Sequence, residues 1–204
     1  MIAIVDYGLG NVKAFANVYM RLNIPVLIAK QAKDLKHVDK IILPGVGAFD
    51  YAMELLDKSG LREQLEELVF KKKVPVLGIC VGMQMLAKSS EEGERPGLGW
   101  IDAEVRKFKE SPTEAKIRIP HMGWNNIKPT NPNKLLNGLN TESIFYFLHS
   151  YYFKCNNLED VIAVSDYQIE FTCAIASGNI YGVQFHPEKS HWWGARLLEN
   201  FARL

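Results

Sequence analysis

The sequence predicts a single α/β domain, 1–204, on a mixed, mainly parallel central sheet with helices on both faces and an antiparallel part in its second half. Three observations predict it. Short runs rich in Val and Ile alternate with longer stretches of helical period. The run Val74 to Ile79 is apolar without alternation, as in a strand buried on both faces. Residues 48% apolar and 23% charged can build one core, and no low-complexity stretch or linker divides the chain.

Met1 to Val5 reads as the first strand and Gly8 to Gly10 as a tight turn. Val12, Phe15, Ala16, Tyr19 and Leu22 then fall on one stripe of a helix that ends before Pro25. Val26 to Ala29 and Lys40 to Leu43 are the next strands, and Pro44 to Gly47, reading PGVG, is expected to be a loop. Ala52, Leu55 and Leu56 mark one helical stretch, and Leu61, Leu65, Leu68 and Val69 a second. Beyond the buried strand Val74 to Ile79, strands are expected at Ala103 to Phe108, Ile144 to Phe153 and Val161 to Ser165. A hairpin joins Phe171 to Ala176 with Ile180 to Phe185 through Ser177, Gly178 and Asn179. A helix from Trp193 to Ala202 closes the chain.

With 24 Lys and Arg against 23 Asp and Glu, the chain has no bulk field that would draw it to nucleic acid or an anionic membrane, so neither is expected as a partner. Cys80, Cys155 and Cys173 are far apart with no CxxC spacing. That excludes a disulfide framework and a cysteine zinc site, and predicts a reducing, cytoplasmic setting. The opening MIAIVDYGLGN lacks the basic start and long apolar run of an export signal, and no membrane span is expected. GLGNVK lacks the third glycine of a dinucleotide fingerprint, and no His, Cys and carboxylate set suggests a metal, so no cofactor is expected.

The chemistry concentrates in VLGICVGMQ, Val76 to Gln84. A buried strand runs through Gly78, Cys80 and Gly82 into the helical pattern Met83, Leu86, Ala87, which is the form of a nucleophile elbow. Cys80 there would face the amino end of the helix, which favours thiolate. Taken alone, Cys80 reads equally as an inert core thiol. Of the five His, His37 lies in a polar stretch, His121 and His149 beside aromatic segments, and His191 next to Trp192 and Trp193. His186 ends the strand of YGVQFHPEK at the carboxyl edge, where ligands collect in open α/β sheets. Glu188, two residues on, is placed to orient its ring, giving Cys80, His186 and Glu188 as a triad. PGVG offers backbone N–H groups to an oxyanion.

GICVGMQ with FHPE and PGVG resembles the class I, triad-type glutamine amidotransferases. DYGLGN, SSEEG, PHMGWN, FLHSYY, FHPEKS and LLENF narrow the resemblance to the glutaminase subunits of imidazole glycerol phosphate synthase, in histidine biosynthesis. The resemblance implies a glutaminase whose Cys80 forms a glutamyl thioester. His186 protonates the departing ammonia and Glu188 holds the imidazole. By motif position it assigns the oxyanion hole to Val46, Gly47 and Val81. Glutamine falls to Gly47, Gln84, Glu92, Ser150 and Tyr151, with Glu92 reading the α-amino group and Ser150 and Tyr151 the carboxylate. It further implies a (β/α)₈-barrel cyclase as partner in a heterodimer, receiving ammonia through a tunnel, with Asn11, His121, Trp124, Asn125, Tyr146 and Lys189 on the docking face. The turn-like context of Gly123 to Asn126 is expected to expose Trp124. Val81, where this family often has Leu, and the His191-Trp192-Trp193 run leave open a paralogous glutaminase that feeds ammonia to an amidotransferase of cell-surface sugar biosynthesis.

Overall fold

The computed structural model describes residues 1–108 and 118–204. β1 (Ile2–Val5) leads into α1 (Val12–Arg21), whose Asn11 caps the helix by accepting from the N–H of Ala14 at 3.3 Å. Phe15, Val18 and Tyr19 are its buried stripe. β2 (Val26–Ala29), β3 (Lys40–Gly45), α2 (Phe49–Ser59), α3 (Arg62–Glu66) and β4 (Val76–Cys80) follow. The helix α3 continues as a wider π turn over Glu67–Lys71. After α4 (Val81–Gln84) come β5 (Ser89–Ser90), β6 (Ala103–Lys107), β7 (His121–Asn126) and β8 (Lys128–Pro129). Then β9 (Ile144–His149), β10 (Tyr151–Cys155), β11 (Val161–Asp166), β12 (Glu170–Ser177), β13 (Ile180–Val183) and α5 (His191–Ala202) complete the chain.

The main sheet runs β2-β1-β3-β4-β13-β12-β10-β6-β5, with β11 and β8 branching from β12. From β2 to β13 neighbouring strands are parallel, and from β13 to β6 they are antiparallel. The parallel half therefore brings the carboxyl ends of β3, β4 and β13 side by side, with Gly45 opposite Cys80 and Val183 opposite Ile79. β7 and β9 form a separate ribbon, registered from His121 opposite His149 to Asn126 opposite Ile144. Its inner face packs on the sheet through aromatic contacts such as Phe145 on Phe185, 4.0 Å between ring centres.

Four sequence expectations need correction. β3 extends into the expected PGVG loop as far as Gly45. Ile41 donates its N–H to Pro75 on the β4 side, so the alternation of a strand turns the Pro44 nitrogen toward β1, whose pairing with β3 stops at Ile42. No ladder bond is lost there. The stretch Ile144 to Phe153 is two strands that change sheets at Ser150, a break that no Gly or Pro marks. Gly123 to Asn126 lies in β7, because pairing along the whole of β9 overrides its turn-like composition. The helix after the elbow is a single turn, α4, followed by tight turns through Ala87. Its dipole is correspondingly small.

Candidate active site

Cys80 closes β4 at φ 54° and ψ −113°, a conformation that costs an L residue strain. Its glycine neighbours make the bend possible. A Cβ on Gly78 would lie 2.6 Å from the carbonyl oxygen of Gly82, and one on Gly82 would lie 1.9 Å from that of Leu43. The turn thus packs directly on β3 and lifts Cys80 to the carboxyl edge, with Sγ 3.9 Å from the carbonyl oxygen of Leu148.

His186 arrives at the same edge just past β13. Its N–H donates to the carbonyl of Tyr146 at 2.8 Å and its carbonyl accepts from the Ser190 hydroxyl at 2.6 Å, which pins the residue against β9. Nδ1 lies 2.9 Å from Oε1 of Glu188, and these side chains are 4% and 2% exposed. Burial works against a charged imidazole, but hydrogen bonds and negative charge from Cys80 and Glu188 outweigh it and hold the His186 pKa up at about 10. The imidazolium therefore sits between a sulfur and a carboxylate. Among the described residues Oε2 of Glu188 has no hydrogen-bond partner, so its hold on the ring is one hydrogen bond plus charge.

Cys80 and His186 open onto a cavity of about 320 Å³, also lined by Val46, Gly47, Val81, Gln84, Glu92, Ser150, Tyr151 and Lys189. Every residue assigned by motif to the oxyanion hole and to glutamine thus borders one space. Gly47 stands at φ 89° beside exposed Val46. Oε2 of Glu92 accepts the N–H of Phe49 at the start of α2, at 2.9 Å. Burial raises the Glu92 pKa, that hydrogen bond lowers it, and the charge of Asp50 adds to the rise. Asp50 in turn accepts from the N–H groups of Glu94 and Arg95, each at 3.0 Å, and fastens the segment that carries Glu92.

The six residues assigned to a docking face divide by depth. Asn11, Trp124 and Lys189 are exposed, Tyr146 and Asn125 are half-buried, and His121 is 3% exposed. Lys189 lies 5.4 Å over the Tyr146 ring, and Trp124 stacks on His191 at 5.2 Å. The outer face of the ribbon carries Met122, Trp124, Ile144, Tyr146 and Leu148, an apolar surface beside the cavity mouth. Trp193 packs against the core, whereas Trp192 is 62% exposed.

His121 faces inward, its Nδ1 3.0 Å from Nε2 of His149, stacked between Phe147 and Tyr167. His149 Nδ1 donates to the carbonyl of Tyr151 at 2.8 Å, which leaves its Nε2 as the acceptor for His121. Burial pulls the pKa of His121 down to about 4 and that of His149 to about 3. Both rings are neutral in the fold, while in the unfolded chain they take protons near the ordinary 6.5. Their contribution to stability is whole above pH 6.5 and is lost as the pH falls toward 3, by at most about 1.4 kcal/mol per pH unit for each ring. Thermal unfolding between about pH 7 and 4.5 should therefore fall more steeply in the wild type than in His121→Gln. Equal slopes would contradict the assignment.

Sequence reasoning missed Gln184, which is fully buried with its Nε2 3.7 Å from Cys80 Sγ. It also left His149 without a place beside the cavity. Position within YGVQFHPEK, two residues before His186, was the available signal for Gln184.

A strained cysteine at a strand-to-helix turn, with a buried His and Glu at the same sheet edge, defines an α/β enzyme of the cysteine-elbow class. The family described as "Glutamine amidotransferase class-I" matches residues 3–203. The chain is 59% identical to imidazole glycerol phosphate synthase subunit HisH of Bdellovibrio bacteriovorus, across the whole of both chains. It is 53% identical to the HisH protein of Leptospira interrogans, again across both chains. Among solved structures it resembles a glutamine amidotransferase from Thermotoga maritima, with TM-score 0.64, 19% identity, and 97% and 80% of the two chains covered. A second, described as a glutamine amidotransferase, gives TM-score 0.75 at 19% identity over 100% and 99%. These two show the fold alone. The chain belongs to the class I glutamine amidotransferases and, within them, to the HisH glutaminase subunits of imidazole glycerol phosphate synthase, enzymes of histidine biosynthesis.

Proposed function

We propose that the chain hydrolyses L-glutamine to glutamate and ammonia by thioester chemistry on Cys80, in a reducing cytoplasm, and passes the ammonia to a (β/α)₈-barrel cyclase. The observation that carries this is that Cys80 and His186 line one cavity while the buried Glu188 holds the far side of the His186 ring. The thiolate of Cys80 attacks the carboxamide carbon of glutamine. The carbonyl oxygen gathers negative charge, which the backbone N–H groups around Val46, Gly47 and Val81 receive. The C–N bond breaks as His186 gives its proton to the nitrogen, so ammonia leaves instead of an amide anion. Water then attacks the glutamyl thioester while His186 takes a proton from it, and the thiolate departs from glutamate. Glu188 keeps the imidazolium oriented throughout. Glu92 faces the α-amino group, and Ser150 and Tyr151 face the carboxylate, so the two ends of a zwitterion meet different chemistry. Gln84 lines the pocket beside them.

Support for a partner comes from the apolar ribbon face, where Trp124 is 48% and Met122 65% exposed next to the cavity. Tyr146 belongs to that face with Lys189 over its ring, His121 and Asn125 lie on the inner side of β7 beneath it, and Asn11 is assigned to the same docking surface by motif position. The shared name of the relatives favours the histidine-pathway cyclase over the surface-sugar amidotransferase. The experiment is to assay the assembled synthase with Cys80→Ala: glutamine-driven synthesis is expected to vanish while synthesis from added ammonia persists. Glutaminase activity retained by that variant would overturn the mechanism. Trp124→Ala is expected to weaken the complex by about 2 kcal/mol, as for aromatic anchors at interface centres, measurable by titration calorimetry.

A further inference from the structure

Gln184 is fully buried in the chain segment between β13 and His186, flanked by the equally buried Val183 and Phe185. A side-chain amide in such a place costs several kcal/mol unless its groups are bonded, whereas Leu or Met would fill the space without that cost. Its bonds run in one direction. Gln84 Nε2 donates to the carbonyl of Tyr151 at 3.2 Å, an acceptor only, which fixes the end of Gln84 that carries the nitrogen. The same nitrogen donates to Oε1 of Gln184 at 3.1 Å. The Gln184 Nε2 is thereby turned to Cys80 Sγ, 3.7 Å away.

We propose that Gln184 is a further part of the catalytic machinery, donating an N–H to the sulfur of Cys80 and favouring it as thiolate, with Gln84 as the residue that positions the donor. The inference rests on Cys80 being the nucleophile of the proposed glutaminase. An N–H aimed at a charged sulfur is stronger than one aimed at a neutral thiol, so it stabilises the ionised form. α4, being one turn, supplies little of that stabilisation, so a side-chain donor at the sulfur adds to what the charge of His186 provides. The amide of Gln184 has no proton to lose at these pH values. It serves the sulfur again in the second half of the reaction, when the thioester C–S bond breaks and the thiolate departs.

The test measures the rate at which iodoacetamide alkylates Cys80 across about pH 5 to 10, read by mass spectrometry of the peptide that contains it, in the full-length wild type and in Gln184→Met. The titratable groups that share this space, His186, Glu188, His149, Glu92, Lys189 and Tyr7, are the same in both proteins. The midpoint of the profile is expected to lie about one pH unit higher in Gln184→Met, with a rate about tenfold lower at pH values below both midpoints. A profile that superimposes on the wild type in a variant with unchanged circular dichroism overturns the proposal. Should Gln184→Met not fold, Gln84→Met frees the Gln184 amide to turn and is expected to move the midpoint the same way; an unchanged midpoint there overturns the proposal as well. Alkylation needs no glutamine. Failure of this inference is thus read apart from failure of the glutaminase reading, which would show as turnover without Cys80.

Discussion

His186→Asn is expected to lower glutamine turnover by about 10,000-fold or more while the chain stays folded, because one side chain serves both halves of the proposed reaction. The carboxamide nitrogen cannot leave as an amide anion, so the imidazolium proton is needed for the C–N bond to break. With a pKa of about 10 the ring holds that proton at neutral pH until the leaving nitrogen, more basic than the ring as the tetrahedral intermediate collapses, takes it. Asparagine retains the backbone bonds to Tyr146 and Ser190, so packing at the edge of the sheet should survive. The loss should appear in kcat, measured as glutamate release by the assembled synthase, with ammonia-driven synthesis intact. Glu188→Gln should cost less, about 100- to 10,000-fold, since it touches the ring by one hydrogen bond and leaves the proton donor in place. A larger loss for Glu188→Gln than for His186→Asn would reverse the roles given to the two residues.

Gly82→Ala is expected to destabilise the fold by about 3 kcal/mol or more, a large effect on stability for a single methyl group. Its Cβ would stand 1.9 Å from the carbonyl oxygen of Leu43 and 3.1 Å from the carbonyl carbon of Pro44, both backbone atoms of a central strand. Neither can yield without pulling β3 from β4. Gly47 provides the control: nothing lies within 4 Å of its added Cβ, and only its φ of 89° opposes a side chain. Gly47→Ala should cost only about 1–2 kcal/mol. Urea denaturation of the two variants separates the cases, and equal midpoints would mean that the elbow has more room than its backbone contacts imply.

The parallel half of the fold was legible because its signals are local. Unbroken apolar runs name β3 and β4, and the spacing Gly78, Cys80, Gly82 names the elbow, since only small residues permit that bend. His186 was legible because Pro187 ends the strand and leaves it at the sheet edge. The break at Ser150 was not, because the chain changes sheets with no residue that forbids continuation. The strand β7 was hidden by Gly123, Asn125 and Asn126, whose local preference for turns yields to long-range pairing with β9. Burial of His121 follows from the same pairing, since the alternation of β7 that turns Trp124 outward turns His121 inward. Gln184 stayed silent because its partners lie far off in sequence, 104 residues away at Cys80 and 100 at Gln84.

The most direct measurement is tandem mass spectrometry of the synthase quenched in acid while turning over glutamine. A glutamyl adduct is predicted on Cys80, with none on the buried Cys155 or Cys173, and no adduct in Cys80→Ala. Turnover with Cys80 unmodified under conditions that preserve thioesters, or an adduct on another residue, would contradict covalent catalysis at Cys80.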